Sequence, residues 1–538
     1  MRVGLLRLGL LAAVLAAWEL AGRAADPLLA VPPSAVLPAL RDLLLLRSYP
    51  DLPASLWLTV REIGTAYALA VAAGLGAGLG LGMYRLAGRA WGPMLAALYA
   101  VPAVVWYPSL MLFFGLGAAS KIAFGFLLGF FPITLAVLAG VRQVNPHLVT
   151  VARAYGAGTL AVFGRVMLPS MLFTLAGGLR TGLALCVIGV IVGEILGAKA
   201  GMGALINHAY GLLRTGDYVA LVLVTLALVV GSDVLASLLE RKPARGPNDS
   251  RDSNESAAEY TEHQALSGRP EPGRTCFRPP SVQAGLKDPT TINTRVRALQ
   301  LVTVLLSLAA WETAARSGWV DPLFVPAPTA VARALVRIGG PALAALADTL
   351  GKTALAYILS VALGITAGLA VGSARLLRDV LSPYVIALYG IPKILVLPWI
   401  VLLLGYGTAP AVFYGAIHGL FPIMVLVMGA VRDVDRSLVT VARSFGATPL
   451  QLYWKVLLPA IVPSVLAGMR LGIVFCLLGV LVVEMFAGVR GMGHVMGTFA
   501  NGFQAPELFA ATGLVSAASI AIVLALDNLN DRLSRWRG

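Results

Sequence analysis

A stretch of ten residues occurs twice in this chain, and the second copy lies 290 positions after the first. The copies read Leu-Val-Thr-Val-Ala-Arg-Ala-Tyr-Gly-Ala at 148–157 and Leu-Val-Thr-Val-Ala-Arg-Ser-Phe-Gly-Ala at 438–447. The same offset relates Pro102 to Pro392, Arg180 to Arg470, Glu194 to Glu484, and Gly201-Met-Gly203 to Gly491-Met-Gly493. The chain is therefore an internal duplication, and its fold must build one unit twice.

The sequence around these copies is strongly apolar. Of the 538 residues, 58% are hydrophobic and only 12% are charged, whereas a soluble domain carries about 25% charged residues. The composition therefore indicates a polytopic membrane protein. The net charge of +15 does not indicate nucleic-acid binding, because the basic residues are dispersed through loops between apolar runs, as the positive-inside rule expects.

Most of the apolar runs approach or exceed the roughly 20 residues that a membrane-spanning helix needs. In the first half the predicted spans are 1–22, 57–83, 90–113, 119–140, 170–197 and 216–239. In the second half they are 299–316, 347–373, 380–403, 409–430, 460–487 and 507–527. We therefore predict an all-α membrane protein, a tandem repeat of two six-helix domains that run parallel because each has an even number of spans.

Three segments follow from this division: a transmembrane domain at 1–240, a disordered cytoplasmic linker at 241–296 and a second transmembrane domain at 297–538. The linker is too polar to bury enough apolar area to fold, and a regulatory tail is the alternative. The first 22 residues have the composition of a signal peptide. Trp18-Glu19, however, recurs as Trp311-Glu312 deep inside the chain, so we predict that this run is a retained first span.

Basic residues predict the orientation of the spans. They cluster in alternate loops, at Arg2 and Arg7, Arg85 and Arg89, Arg142, Arg153 and Arg165, and Arg241, Lys242 and Arg245. By the positive-inside rule this side is cytoplasmic. Both termini and both copies of the repeated stretch are thus predicted to lie in the cytoplasm.

Each copy of the repeated stretch is predicted to form a short amphipathic helix. Asn145 and Asp435 are suitable N-caps, and Gly156 and Gly446 are suitable stops. In the first copy the helical spacing aligns Leu148, Val151, Ala152 and Tyr155 on one face. Such a helix is too short to cross a membrane, so its apolar face must lie either on the lipid surface or on another protein.

The repeated stretch resembles the EAA loop of ABC-importer permeases. The matching positions are Ala152, Arg153, Gly156, Phe163, Leu168 and Pro169, and Ala442, Arg443, Gly446, Tyr453, Leu458 and Pro459. The family glutamate is replaced by Thr150 and Thr440, and the first alanine by Val151 and Val441. In that family the loop is the coupling helix that sits in a groove of the ATPase subunit, and the resemblance implies the same role here.

Outside the linker, the chain resembles two fused permeases of the nitrate, sulfonate and taurine branch of these importers. The resemblance implies a type I importer fold in the bacterial cytoplasmic membrane, with two ABC ATPase subunits and a periplasmic or lipid-anchored substrate-binding protein as partners. ATP and magnesium would bind to the ATPases, and this chain would be no enzyme and would hold no cofactor or metal. The solute would be small, and anionic or heterocyclic, like nitrate, sulfonates, taurine or vitamin precursors.

Polar residues within spans are costly and usually face a pore or a partner. We therefore regard Arg180 and Glu194, with their repeats Arg470 and Glu484, as candidates for the translocation path; the alternative is that they anchor the structure near the membrane faces. Lys393 is a further candidate because its repeat position is Ala103, although it could also be a snorkelling lysine. Trp106 and Tyr107 complete the predicted path.

Two other classes of protein are alternatives to the importer. A secondary transporter also uses duplicated bundles, but it needs no amphipathic docking helix. A scaffold or channel explains neither the repeated stretch nor the duplication. Gly351-Lys-Thr353 resembles the end of a P-loop, but Leu346 stands where that motif needs a glycine, so we predict that this chain does not bind ATP.

Overall fold

The computed structural model describes residues 2–197, 199–240 and 289–534. Most of the predicted linker therefore lies outside the described residues. Its last residues, from Pro289 onward, form the start of a helix that continues to Arg316. Helices are the only regular elements in the part of the chain that the structure describes.

Eleven α-helices make up the first half. They are α1 (Arg2–Ala24), α2 (Pro33–Leu44), α3 (Leu52–Met83), α4 (Arg85–Tyr99), α5 (Tyr107–Phe114), α6 (Ala118–Gln143), α7 (Pro146–Ala154), α8 (Thr159–Val162), α9 (Leu168–Gly197), α10 (Met202–Gly211) and α11 (Thr215–Glu240).

The second half repeats this order with one fusion. Its helices are α12 (Pro289–Arg316), α13 (Pro328–Ser373), α14 (Arg375–Gly390), α15 (Leu397–Leu404), α16 (Thr408–Arg432), α17 (Arg436–Ser444), α18 (Pro449–Leu452), α19 (Leu458–Ala487), α20 (Met492–Asn501) and α21 (Ala505–Ser534). Helix α13 continues through the region that separates α2 from α3, where Leu46 takes a positive φ of 58°.

Ten of the described helices are long and apolar enough to cross a membrane, and the number rises to 12 if each of two bent helix pairs counts as one span. The bent pairs are the predicted third spans, 90–113 and 380–403. They are not continuous, because the chain turns by 85° between Tyr99 and Ala103 and between Gly390 and Lys393. Pro102 and Pro392 stand at these breaks, where each removes a backbone donor and ends the preceding helix.

Small residues let the spans of each half pack closely. A Cβ atom added to Gly78 of α3 would collide with Val137 of α6, and one added to Gly368 of α13 would collide with Val427 of α16. Glycine at these positions thus permits close contact between helices, as expected for helix packing in lipid.

The two halves exchange their first helices. In α1, the Arg7 backbone carbonyl accepts a hydrogen bond of 2.9 Å from the Tyr384 hydroxyl of α14. Reciprocally, Gln300 of α12 donates its side-chain amide to the carbonyl of Ala90 in α4 at 2.8 Å, and Trp91 Nε1 lies 3.1 Å from Thr303 Oγ1. Each first helix thus covers the bent pair of the opposite half.

Candidate functional site

The repeated stretches form the helices that the sequence predicts. Asn145 accepts a hydrogen bond from the backbone N–H of His147 at 2.9 Å, and Asp435 accepts one from Ser437 at 2.8 Å. The backbone and side chain of Ser437 both donate to Asp435, which stabilises the charged carboxylate and lowers the pKa of Asp435. Beyond the helix ends, Gly156 and Gly446 take positive φ angles of 79° and 75°, the left-handed geometry that glycine allows.

The apolar faces of α7 and α17 are bare among the described residues. In α7, Leu148 is 51% exposed and Val151 is 53% exposed, and their repeats Leu438 and Val441 have exposures of 49% and 54%. The aromatic residues that follow the helices, Tyr155 and Phe445, are 89% and 87% exposed. An apolar patch of this kind on a short polar-flanked helix indicates a surface for interaction.

The other positions that match the family loop lie within α7 and α17. Ala152 and Ala442 are half-buried, while Arg153 and Arg443 are exposed. Thr150 donates its hydroxyl to the carbonyl of Pro146 at 3.0 Å, within its own helix.

The helices α7 and α17 are followed by the short helices α8 and α18 and then by the fifth span of each half. A single π-helical turn precedes that span, at Phe163–Met167 in the first half and at Tyr453–Leu457 in the second. Pro169 and Pro459 occupy the first turn of the spans α9 and α19, where a missing backbone N–H costs nothing.

The two arginines of the fifth spans pair with the last span of each half. Arg180 binds both carboxylate oxygens of Asp233 with two contacts of 2.9 Å, and Arg470 lies 2.7 Å from Asp527. Both arginine side chains remain about half exposed. The aspartates were missed by the sequence analysis because they lie one helical turn apart in the two repeats and so share no equivalent position.

Glu194 and Glu484 are buried inside the protein and do not line an open surface, since their exposures are 0% and 1%. Glu194 accepts hydrogen bonds from the Thr59 hydroxyl at 2.6 Å and from the Gly203 backbone at 2.7 Å. Their assignment to the translocation path stays a prediction. The Gly201–Gly203 segment folds back onto this site, where the Gly203 N–H donates to the carboxylate and the Met202 N–H donates to Thr59 Oγ1.

The same arrangement recurs at Glu484. Its carboxylate accepts from Thr349 at 2.8 Å and from the Gly493 backbone at 3.0 Å. Gly201 and Gly491 both have a φ of 106°, and a Cβ atom on either would collide with the glutamate side chain. Each glutamate therefore holds the segment after its fifth span against the second span of the same half.

Two buried lysines form ion pairs in these regions; the sequence analysis did not name Lys121 and named Lys352 only as part of a P-loop-like segment. Lys121 Nζ lies 3.1 Å from Glu62 Oε1 in the first half. In the second half Lys352 Nζ lies 2.9 Å from Glu484 and 2.6 Å from Asp348. Lys352 belongs to Gly351-Lys-Thr353, so this segment forms an ion pair in a membrane helix. The available signal was a charged residue within an apolar run.

Lys393 lies in the short 3₁₀ turn that follows the bend of the second half. Its ammonium group donates to the carbonyl of Tyr389 at 3.2 Å and lies 5.4 and 5.1 Å from the ring centroids of Tyr389 and Phe421. The same turn meets the first half, because the Tyr218 hydroxyl donates to the carbonyl of Leu395. Lys393 thus stands close to the interface of the two halves.

The aromatic residues of the predicted path have different environments. Trp106 is half-buried in the equivalent turn of the first half. Tyr107 is 1% exposed and donates its hydroxyl to the carbonyl of Gly193 at 2.5 Å. Tyr107 therefore packs within its own half, whereas the side chain of Trp106 remains partly exposed.

Two interlocked bundles of membrane helices, each with one short helix whose apolar face is exposed, define a membrane transport subunit. The family described as "Binding-protein-dependent transport system inner membrane component" matches residues 70–245 and, separately, residues 360–537. Together the two matches cover more than half of the chain. The chain belongs to this family, and it carries two copies of the family domain.

Curated relatives are similar to this chain over about the length of one half. The "Taurine transport system permease protein TauC" of Escherichia coli is 27% identical over 247 residues, 45% of this chain and 90% of that protein. The "Putative aliphatic sulfonates transport permease protein SsuC" of Bacillus subtilis is 24% identical over 244 residues, 45% of this chain and 88% of that protein. The "Riboflavin transport system permease protein RibX" of Chloroflexus aurantiacus is 40% identical over 154 residues, 28% of this chain and 57% of that protein.

Family membership confirms the main functional prediction. The chain is a multi-pass membrane protein and the permease subunit of an ABC importer, formed from two fused copies. It is a transport component, and its family implies ATPase and substrate-binding protein partners. This assignment favours the importer over the secondary transporter that the duplication alone would allow.

Proposed function

We propose that α7 and α17 are the coupling helices of this importer and that each docks into a groove of one ABC ATPase subunit. The observation that carries the proposal is the pair of bare apolar faces, with nearly equal exposures at Leu148 and Leu438 and at Val151 and Val441. Burial of these faces would contribute about 25 cal/mol per Å² of apolar area. In this proposal ATP and magnesium bind to the two ATPase subunits, which carry out the hydrolysis.

The route from the docking helices to the transport path follows the chain. A movement of α7 reaches α9 through α8 and the π-helical turn at Phe163–Met167, and α17 is connected to α19 in the same way through α18. The ion pair between Arg180 and Asp233 then ties α9 to α11. Closure of the ATPase dimer would therefore move the fifth and sixth spans of each half together and rock the halves between two states.

In this proposal the solute crosses between the two halves, where the bends approach the opposite half. Lys393 and Trp106 line this path, and Lys393 holds a small anionic or heterocyclic solute. The half-exposed Arg180 and Arg470 are placed towards the path, whereas Tyr107, Glu194 and Glu484 form the frame behind it. Support comes from the relatives named for taurine, aliphatic sulfonates and riboflavin.

The proposed setting is the bacterial cytoplasmic membrane, with both termini and both docking helices in the cytoplasm. A periplasmic or lipid-anchored substrate-binding protein would then deliver the solute to the opposite face. That face carries the Gly-Met-Gly segments, because the fifth span separates them from the docking helices.

The experiment that tests the proposal places charges on both docking faces. The paired substitution Val151→Asp with Val441→Asp is expected to abolish co-purification of the ATPase and ATP-driven uptake, because an aspartate cannot enter an apolar groove without a large desolvation cost. The control is Val489→Asp, because Val489 is 60% exposed on the opposite face. Retention of the ATPase by the paired variant would contradict the proposal.

A further inference from the structure

The first half buries more negative than positive charge near the outer end of its spans. Glu62 and Glu194 are both 0% exposed, and Lys121, the cation between them and solvent, is 3% exposed. If all three side chains were ionised, one negative charge would remain without a partner. An uncompensated charge in such surroundings is strongly unfavourable, and a group usually neutralises instead.

The charged and titratable groups that face this cluster do not remove the surplus. Tyr107 lies beside it, but its hydroxyl donates to the carbonyl of Gly193. Arg61 and Lys199 are exposed. Lys199 also lines a partly open cavity of about 380 Å³, together with Glu62 and Lys121. Among the described residues, Lys121 is therefore the cation buried with the two carboxyl groups.

The second half shows the same site with its buried charges balanced. Lys352 stands at the repeat position of Glu62, and Ala411 stands at that of Lys121. Lys352 lies 2.9 Å from Glu484, so one buried cation faces one buried carboxylate. The second acid in contact with Lys352 is Asp348, whose side chain is 40% exposed and can stay ionised in contact with solvent.

Hydrogen bonding within the first-half cluster is incomplete. The two oxygens of Glu194 accept from Thr59 and from the Gly203 backbone. Lys121 approaches Glu62 Oε1 without forming a hydrogen bond of normal geometry. Glu62 Oε2 has no hydrogen-bond partner among the described residues, although it is buried. A proton can bind to this oxygen.

We propose that Glu62 and Glu194 together bind one proton at neutral pH, which reaches them through the neighbouring cavity. The step is a simple protonation: one carboxylate oxygen gains the proton, and the buried net charge falls from −1 to zero. Because Glu194 also holds the Gly201–Gly203 segment, this segment is coupled to the proton. The first half thereby carries a proton-binding site that the second half lacks, and this inference does not depend on how the ATPases dock.

Infrared spectroscopy of the full chain in lipid nanodiscs tests this site without knowledge of the solute. At neutral pH the wild type is expected to show the carbonyl stretch of a buried protonated carboxyl group, which an ionised carboxylate lacks. Glu62→Gln should remove this band, and the matched change Glu484→Gln in the second half should leave it in place. Absence of the band from the wild type, or its persistence in Glu62→Gln, would overturn the proposal.

A second variant keeps the test valid if Glu62→Gln fails to fold. Glu62→Lys combined with Lys121→Ala gives the first half the residues that the second half already has at these positions. This variant should fold and should lack the band, whereas the single change Lys121→Ala should strongly lower the yield of folded protein. A band that survives in the paired variant would contradict the assignment to this cluster.

The pH dependence of thermal stability is an independent measure. Because the folded state would hold a proton that a glutamate of the unfolded chain releases at about pH 4.3, the melting temperature should fall as pH rises from about 5 through neutrality. It should level off once the folded site also loses its proton. The fall should be shallower in the paired variant Glu62→Lys with Lys121→Ala. Stabilisation by sodium ions that requires Glu62, with no carboxyl band, would show instead that a metal cation balances the charge.

Discussion

Glu62 and Lys352 occupy the same position in the two halves, yet they carry opposite charges and both are buried. Each faces the glutamate carboxylate on the fifth span of its own half, which is Glu194 in the first half and Glu484 in the second. The two frames are therefore alike in hydrogen bonding to Thr59 or Thr349 and to the Gly-Met-Gly segment, but they differ in electrostatics. The duplication has kept the geometry and allowed the charges to diverge.

The turn that ends each docking helix leads to a first prediction. Gly156→Val combined with Gly446→Val would force a β-branched residue into a left-handed conformation, at a cost of about 1–2 kcal/mol per site. We expect ATP hydrolysis to become uncoupled from uptake while the protein remains in the membrane. The measurement is the ratio of solute imported to ATP hydrolysed in proteoliposomes.

Gly158 supplies a matched control for that experiment. It has a φ of −67° and nothing within 4 Å of an added Cβ atom, so Gly158→Val should transport normally. Wild-type coupling in the Gly156 and Gly446 double variant would show that the left-handed turn is dispensable.

The frame around Glu194 leads to a second prediction. Gly201→Ala should destabilise the protein by about 1–3 kcal/mol, because the residue must keep a strained backbone angle and its new methyl group meets the Glu194 carboxylate. Gly211→Ala is the control, since Gly211 ends the helix α10 with open space around it. Thermal unfolding in detergent measures both; equal melting temperatures would refute the role assigned to Gly201.

A third prediction concerns Lys393. If it holds an anionic solute, Lys393→Gln should lose uptake of that solute, and Lys393→Arg should regain part of it because the positive charge returns. Taurine and an alkanesulfonate are suitable probes, because each carries a sulfonate anion. Co-purification of the ATPase should not change in either variant.

The alternative for Lys393 gives a different result. Lys393 is half-buried. A lysine there that only rests on the rings of Tyr389 and Phe421 contributes about 0.5–2 kcal/mol of cation–π stabilisation, and its loss would leave uptake intact. Uptake by Lys393→Gln equal to that of the wild type would remove this residue from the path.

Much of the architecture could be predicted because its causes are local. The apolar runs reveal the spans, and the caps Asn145 and Asp435 and the stops Gly156 and Gly446 reveal the short helices α7 and α17, since each signal lies within a few residues of the structure it produces. The bends were missed although Pro102 and Pro392 mark them. A proline in a membrane span is compatible with either a kink or a complete break, and only the surrounding packing decides between them.

The buried charge clusters could not be predicted because their partners are distant in sequence. Glu194 accepts a hydrogen bond from Thr59, which lies 135 positions earlier in the chain. Glu62 and Lys121, which carry the other charges of the first-half cluster, are replaced by different residues in the second repeat. Comparison of the halves draws attention to residues that are the same, such as Glu194 and Glu484. Such a comparison therefore overlooks the substitutions that distinguish the surroundings of Glu194 from those of Glu484.

The most direct test of the account counts the ATPase subunits bound to one chain by native mass spectrometry. Two subunits are expected on the wild type, one on Tyr155→Asp or on Phe445→Asp, and none when both are changed, because each aromatic residue would anchor one docking helix. Two subunits retained on the doubly substituted chain would contradict the claim that α7 and α17 are the docking surfaces.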